Sequence, residues 1–248
     1  MLAAFFSEEN RMRILIKDNN RPIAVLYWDS AVIRKYNHHH DKLGRFASSD
    51  GSSGEGILGS LGRHKAGDKV TITDQAIKKV PEKASKYLSD DENKALHDMN
   101  VAVLTESMKH NNSDEVSQVY FGNDRDGQNT SSDLIHGDKY SVNVEADTAI
   151  FHALWNNPER SLIVTHNHPG GSSFSEDDLA LFMRYDSIKC ISIVTNRGKS
   201  FSLTKTKNTG DCSDFYSYAK KLDKRYNEKQ RVDLLISELY NYGIRYER

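Results

Sequence analysis

Seven of the chain's 15 glycines crowd into the stretch from Gly44 to Gly67, and no other feature limits its fold so sharply. Serines and charges fill the gaps, as in Ser48-Ser-Asp-Gly-Ser-Ser-Gly54. Such a stretch cannot bury enough apolar surface to offset the entropy of ordering it. Residues 37–70 therefore read as a flexible linker, which splits the 248 residues into a short leading piece, 1–36, and everything after it.

The leading piece holds two β-prone runs, Arg11–Lys17 and Arg21–Trp28, around Asp18-Asn-Asn20, which predicts a β-hairpin. Two strands alone are marginal in water, so the hairpin needs a partner surface. Beyond the linker, Ser89-Asp-Asp-Glu92 is a capping-box sequence opening a helix to about His110. Strands are predicted at Val116–Phe121, Tyr140–Val144, Ser161–Thr165, Cys190–Thr195 and Phe201–Thr204, the last two joined by Asn196-Arg-Gly198. Helices are predicted from Asp147 to Trp155 and from Ser175 to about Tyr185. One long helix is read from Ser213 to about Tyr240, with Phe215, Tyr218, Leu222 and Tyr226 on one face. The expected class is α/β (α+β), with a mixed domain over 71–206 and a helical tail over 207–248.

Charge and composition exclude several functions. The 34 basic and 35 acidic residues nearly cancel, which argues against a dedicated nucleic-acid binder. No apolar run approaches the ~20 residues of a membrane span. Met1-Leu-Ala-Ala-Phe-Phe6 has no basic n-region, so no signal peptide is expected. Two cysteines, Cys190 and Cys212, support neither a disulfide framework nor a cysteine zinc site, and point to the cytoplasm.

The chemistry concentrates in Thr165-His-Asn-His-Pro-Gly-Gly-Ser-Ser-Phe-Ser-Glu-Asp-Asp178. His166 and His168 lie two apart at a strand end, so both side chains leave on one face. Pro169 stops the strand and Gly170-Gly171 let the chain turn. The chain re-enters a helix at Ser175, placing Asp178 in its first turn, where a carboxylate could fold back as a third ligand. Three protein ligands with one open position is the arrangement of a catalytic rather than a structural zinc. The bland alternative is two loop histidines beside an ordinary Ser-x-x-Asp cap. The joint pattern is much harder to obtain by chance than either half.

These residues resemble the JAMM/MPN+ (JAB) zinc metallopeptidase family, in its RadC-like branch, over about Ser89 to Thr206. The family pattern of His-x-His-Pro, a short loop and Ser-x-x-Asp is matched by His166, His168, Pro169, Ser175 and Asp178. The loop is about one residue shorter than the family's, which leaves Asp177 open as the alternative ligand. The resemblance implies a JAB/MPN-like mixed β-sheet flanked by helices and one Zn2+ per chain, held by His166, His168 and Asp178. It also implies an upstream glutamate ahead of an apolar run ending in glycine. Glu115-Val-Ser-Gln-Val-Tyr-Phe-Gly122 fits, with Glu106 and Glu145 as competitors. In that reading Glu115 is the general acid–base of a hydrolase and Ser175 donates to the developing oxyanion. The bond cut would be a peptide or isopeptide amide in a protein or peptide substrate, a ubiquitin-like or tagged protein among them.

His40-Asp-Lys-Leu-Gly-Arg-Phe-Ala47 resembles a short tail motif of phage portal and head-morphogenesis proteins. It implies a phage or prophage origin, action in the bacterial host cytoplasm or in the virion, and head or portal proteins as partners. Two rival functions follow: a non-catalytic head-assembly module, and a RadC-like DNA-associated protein, against which the near-neutral charge counts. His38-His-His40 could bind metal but has no rigid surroundings to orient it. Lys220, Lys221, Lys224, Arg225, Lys229 and Arg231 read as a solvated helix face. His97, His136 and His152 read as structural or surface residues, and Cys190 as core.

Overall fold

A computed structural model describes residues 69–123, 129–210, 215, 218, 219, 222 and 226–248, together with the backbone of three strands within residues 3–29. The chain divides into two compact units, Met1–Gly59 and Ser60–Arg248. The expected linker up to residue 68, the His40–Ala47 motif, the triple histidine, Cys212 and the first four of those basic tail residues lie outside the described residues, while Val70, at the linker's expected end, is bonded to Pro169 and Asn196.

The leading unit holds β1 (Ala3–Phe6), β2 (Arg11–Asp18) and β3 (Arg21–Asp29). They form an antiparallel sheet in that order, with a bulge after Ile16. The predicted hairpin is β2–β3, and β1 adds a third strand along β2 that the sequence reading had not assigned.

The second unit is a mixed α+β structure. Its elements begin with α1 (Asp74–Ile77), α2 (Asp90–His110), β4 (Val116–Asn123), β5 (Asn129–Ser131) and β6 (Ile135–His136). Next come α3 (Thr148–Asn156), β7 (Leu162–His168), α4 (Glu176–Arg184), β8 (Ile188–Thr195) and β9 (Ser200–Lys205). The chain ends with α5 (Glu228–Leu239) and β10 (Ile244–Glu247). One sheet runs β10-β9-β8-β7-β4-β5, with β6 also paired to β4. Only β7 and β8 pair in parallel, joined by the crossover that carries α4.

β7 is buried along its whole length, because both faces of the sheet are covered at that strand. Period-two alternation sorts its side chains. Ile163 joins Leu96 and Met99 of α2 in one core cluster, and the Thr165 hydroxyl donates to Asn100 Oδ1 of α2. Val164, His166 and His168 point the other way, toward α4. On β4, Val116 packs with Val103 and Leu104 of α2, so Glu115 and Ser117 take the face shared with the histidines.

Two elements differ from the sequence reading. Tyr140–Val144 alternates like a strand but forms coil leading into a short 3-10 turn at Val144–Ala146. Asp138 Oδ1 accepts from the amides of both Tyr140 and Ser141, taking donors that a strand would need. The expected long tail helix is broken before Asn227, with Leu222 and Tyr226 in bends, and the extended backbone of Asn227 begins a new helix, α5. Asn227 and Gln230 form a reciprocal capping box, at 3.0 Å in both directions. Residues beyond α5 return to the sheet as β10, pairing antiparallel with β9.

Candidate metal centre

The site sits where β7 ends. Asn196 N–H and Gly171 N–H both donate to the His168 carbonyl at 3.3 Å, while the Pro169 carbonyl accepts from the Val70 amide at 2.9 Å. Gly171 has φ +75°, a conformation that side chains with a Cβ resist, and it turns the chain toward α4. Ser175 caps α4, and three carboxylates follow in its first turn, where the helix dipole favours them.

Three side chains converge there. His166 Nε2 stands 3.0 Å from His168 Nε2 and 3.0 Å from Asp178 Oδ1, and His168 Nε2 is 3.4 Å from Asp178 Oδ2. All three residues are buried. Imidazole and carboxylate donors sharing a tetrahedral ion at ~2.0–2.1 Å lie about 3.3 Å from one another. The donor set and its spacing therefore fit a divalent metal ion. Asp178, rather than the exposed Asp177, is the carboxylate that meets the two rings.

Supporting contacts aim these groups. His168 Nδ1 lies 3.2 Å from Ser172 Oγ, which turns Nε2 inward. Asp178 Oδ2 accepts from the Ser175 amide at 2.6 Å and from the Ser175 hydroxyl at 2.7 Å, leaving Oδ1 toward His166. The Ser175 hydroxyl also accepts from the Asp178 amide at 3.2 Å. Capping and ligation are thus compatible, because they use different carboxylate oxygens.

Electrostatics reinforces the cluster. Burial alone would lower the pKa of His166, but the Asp178 carboxylate, and then Glu115, outweigh it and hold the ring's pKa above 6.5. Burial would raise Asp178, yet His166 and His168 hold it well below the usual carboxylate value. A buried cluster whose groups are displaced in this way is a functional-site signature.

Glu115 is buried and lines the same small cavity of about 70 Å³ as His166, His168, Ser175 and Asp178. Antiparallel pairing of Ser117 with His166, extended by two residues, sets Glu115 opposite His168. The two competing glutamates lie elsewhere. Glu106 pairs with His136 at 2.8 Å, while Glu145 accepts from Arg184 Nη1 at 2.7 Å and from the Tyr185 hydroxyl. Val142, Val144, Val164 and Leu181 line an apolar part of the wall beside Tyr140, and Ser141 and Asp177 complete the lining.

Asn167 and Ser172 had no role assigned from sequence. Asn167 is fully buried, and its bonds all go to backbone and side chains on the α2 side. The available signal was its place between two histidines on a buried strand, which sends it to the opposite face. Ser172 lay in the glycine turn and gave no signal. Among the other candidates, His97 Nδ1 lies 3.2 Å from the Pro81 carbonyl. Cys190 is fully buried, and burial pushes its thiol pKa up to about 12, too high for a nucleophile.

The chain matches no family model, no curated protein and no solved structure. Among the described residues, no helix is long and apolar enough to cross a membrane.

Proposed function

We propose that this protein is a zinc-dependent hydrolase of peptide or isopeptide amide bonds, of the JAMM type, encoded by a phage or prophage. What carries the reading is the convergence of His166, His168 and Asp178 within hydrogen-bond range, with Glu115 on the wall of the same cavity. Zinc held by those three groups would supply Lewis acidity and let a water ionise near neutral pH.

The chain's own residues divide the remaining work. Glu115 accepts the proton of the attacking water and returns it to the leaving amine, a role worth ~10²–10⁴-fold in rate. Ser175 first orients Asp178. Its hydroxyl can swing to the carbonyl oxygen that gains charge, because the Ser175 amide keeps Asp178 Oδ2 in place at 2.6 Å. Giving up that hydroxyl bond to a charged carboxylate costs about 1.5–3 kcal/mol, offset by the bond made to the substrate oxygen. The apolar wall of Val142, Val144 and Leu181 excludes water beside the scissile bond.

The test is metal content followed by hydrolysis. Purified chain exposed to zinc and then desalted should keep about one zinc, and His166→Ala should keep none. Glu115→Gln should retain zinc yet lose cleavage of fluorogenic peptide and ε-linked isopeptide amides that the wild type cleaves. A wild type that stays empty after zinc addition refutes the proposal. Normal cleavage by Glu115→Gln refutes the role given to that residue.

A further inference from the structure

Between the two imidazoles, one side chain leaves the strand in the opposite direction. Asn167 points through the sheet, away from the cavity, and its carboxamide meets the backbone on both sides of Glu115. Its Oδ1 accepts from the Val116 amide at 2.7 Å, and its Nδ2 donates to the Asp114 carbonyl at 3.1 Å. The same Nδ2 lies 2.7 Å from Asn196 Oδ1 and 3.3 Å from Ser107 Oγ. Asn196 is anchored in turn, donating to the carbonyls of Val70 and Ser113 at 2.8 and 2.9 Å.

The position of these bonds in the sheet gives them their meaning. The backbone pairing of β4 with β7 ends at Ser117 opposite His166. One residue further along, Val116 would face Asn167, and there the carboxamide bonds the strand in place of a main-chain partner. The ladder is thereby prolonged by a side chain to the residue that precedes the strand, which is Glu115. Further holds on the Glu115 backbone come from the opposite side. Its amide donates to the Asp138 carbonyl, and its own carbonyl accepts from Gly137 N–H and Asn111 Nδ2.

We infer that Asn167 is a positioning residue, which locks the register of Glu115 to that of His166 and His168. Because Asn167 lies on the same strand as both imidazoles, any shift of β7 carries ligands and glutamate together. The inference rests on the proposed function for what Glu115 does, but the geometric claim concerns the chain alone. A peptide held at its carbonyl before Glu115 and its amide after it leaves little backbone freedom to the side chain between them. A shorter side chain in that fully buried place cannot reach both the Val116 amide and the Asp114 carbonyl, so the two bonds that flank Glu115 are lost together.

The experiment compares Asn167→Ser with Thr165→Val in the full metal-free chain. Thr165 is the matched control, a buried polar residue on the same strand and face, whose hydroxyl is bonded to Asn100 at 2.5 Å and which pairs with Gln118, three residues beyond Glu115. Glutamate side-chain carboxyls are labelled with carbon-13, and the Glu115 signal is assigned by its loss in Glu115→Gln. Asn167→Ser should displace or broaden that signal and speed hydrogen exchange of the Val116 amide about tenfold or more. Thr165→Val should lower the melting temperature while leaving the Glu115 signal in place. A Glu115 signal unchanged by Asn167→Ser, or moved equally by both variants, overturns the inference. If Asn167→Ser does not fold, Asn196→Ser carries the same comparison, since it removes one of Asn167's partners; an unmoved Glu115 signal there is equally fatal. Zinc uptake is measured alongside. A wild type that binds none defeats the metal reading and leaves the Glu115 comparison standing.

Discussion

The Nε2 atoms of His166 and His168 face each other at 3.0 Å, with the Asp178 carboxylate closing the third side of the triangle. Without an ion, that triangle is held together by a proton. His166 keeps its proton above pH 6.5 because Asp178 and Glu115 outweigh the opposing effect of burial. The stabilisation this gives is fully present below the unfolded value near 6.5 and is lost as pH rises through the raised folded value. Asp178 works in the opposite sense: its contribution is present above its unfolded value of 3.8 and is lost as pH falls through the lowered folded value. The metal-free chain should therefore gain most from the cluster between about pH 4 and 6.5. A metal needs the ring unprotonated, so zinc must expel the proton. Calorimetric titration with zinc at pH 6, in two buffers of different ionisation heat, should show about one proton released per ion. Affinity should climb as pH rises. Zinc uptake with no proton release would mean that His166 is not a ligand.

Asp178 performs two tasks, and two substitutions separate them. Asp178→Asn keeps an acceptor for the Ser175 amide, while Asp178→Ala deletes that half of the capping box. Loss of a cap costs about 1 kcal/mol. Above pH 7, urea denaturation of the metal-free chain should place Asp178→Ala about 1 kcal/mol below Asp178→Asn. Both variants should fail to retain zinc through desalting. Retention of zinc by Asp178→Ala would exclude the carboxylate as a ligand.

The turn between β8 and β9 tests the fold apart from the chemistry. Gly198 has φ +81°, and a Cβ there would lie 2.0 Å from the Ala76 carbonyl oxygen. Backbone strain and a clash with a second segment then act together. Gly198→Ala should cost about 2 kcal/mol or more, read as a lower urea midpoint with an unchanged slope. A loss below about 0.5 kcal/mol would show that the turn and α1 can separate freely.

Much of this architecture could be read before the coordinates, wherever one local rule decided the outcome. Ser89 and Glu92 stop and start the chain through their own side chains, and the reciprocal bonds are present at 2.8 and 3.1 Å. His166 and His168 share a face because alternation along a strand is set by the backbone. The same alternation misled at Tyr140–Val144, where Asp138 takes the amides first. β5, Asn129-Thr-Ser131, has no apolar residue and forms only because β4 offers it an edge. Asn227-x-x-Gln230 was as legible a cap as Ser89-x-x-Glu92, but the apolar face from Phe215 to Tyr226 leading up to it suggested continuity. At the site, the meeting of His166, His168 and Asp178 followed from spacing, whereas Asn167 and Ser172 act through contacts that no spacing rule gives. Those contacts depend on how the strands pair, which no short window of sequence contains.

The tail that was expected to be a separate helix is tied to the helix carrying Asp178 by one buried ion pair. Arg231 of α5 donates from Nε to Glu176 Oε1 at 2.7 Å, and from Nη1 to the Tyr226 carbonyl at 2.5 Å. Glu176 opens α4, two residues before Asp178, and both members of the pair are buried. Removing one member of such a pair leaves an uncompensated charge and costs ~3–5 kcal/mol, whereas replacing both by apolar groups is far milder. Arg231→Leu should therefore destabilise the chain by about 3 kcal/mol, and Arg231→Leu with Glu176→Leu should recover most of the loss. Zinc affinity should follow the same order, weakest in the single variant, because the start of α4 sets the carboxylate that meets both rings. If Arg231→Leu alone leaves stability and zinc affinity unchanged, α4 is held by its cap and its apolar face, and the tail has no hold on the site.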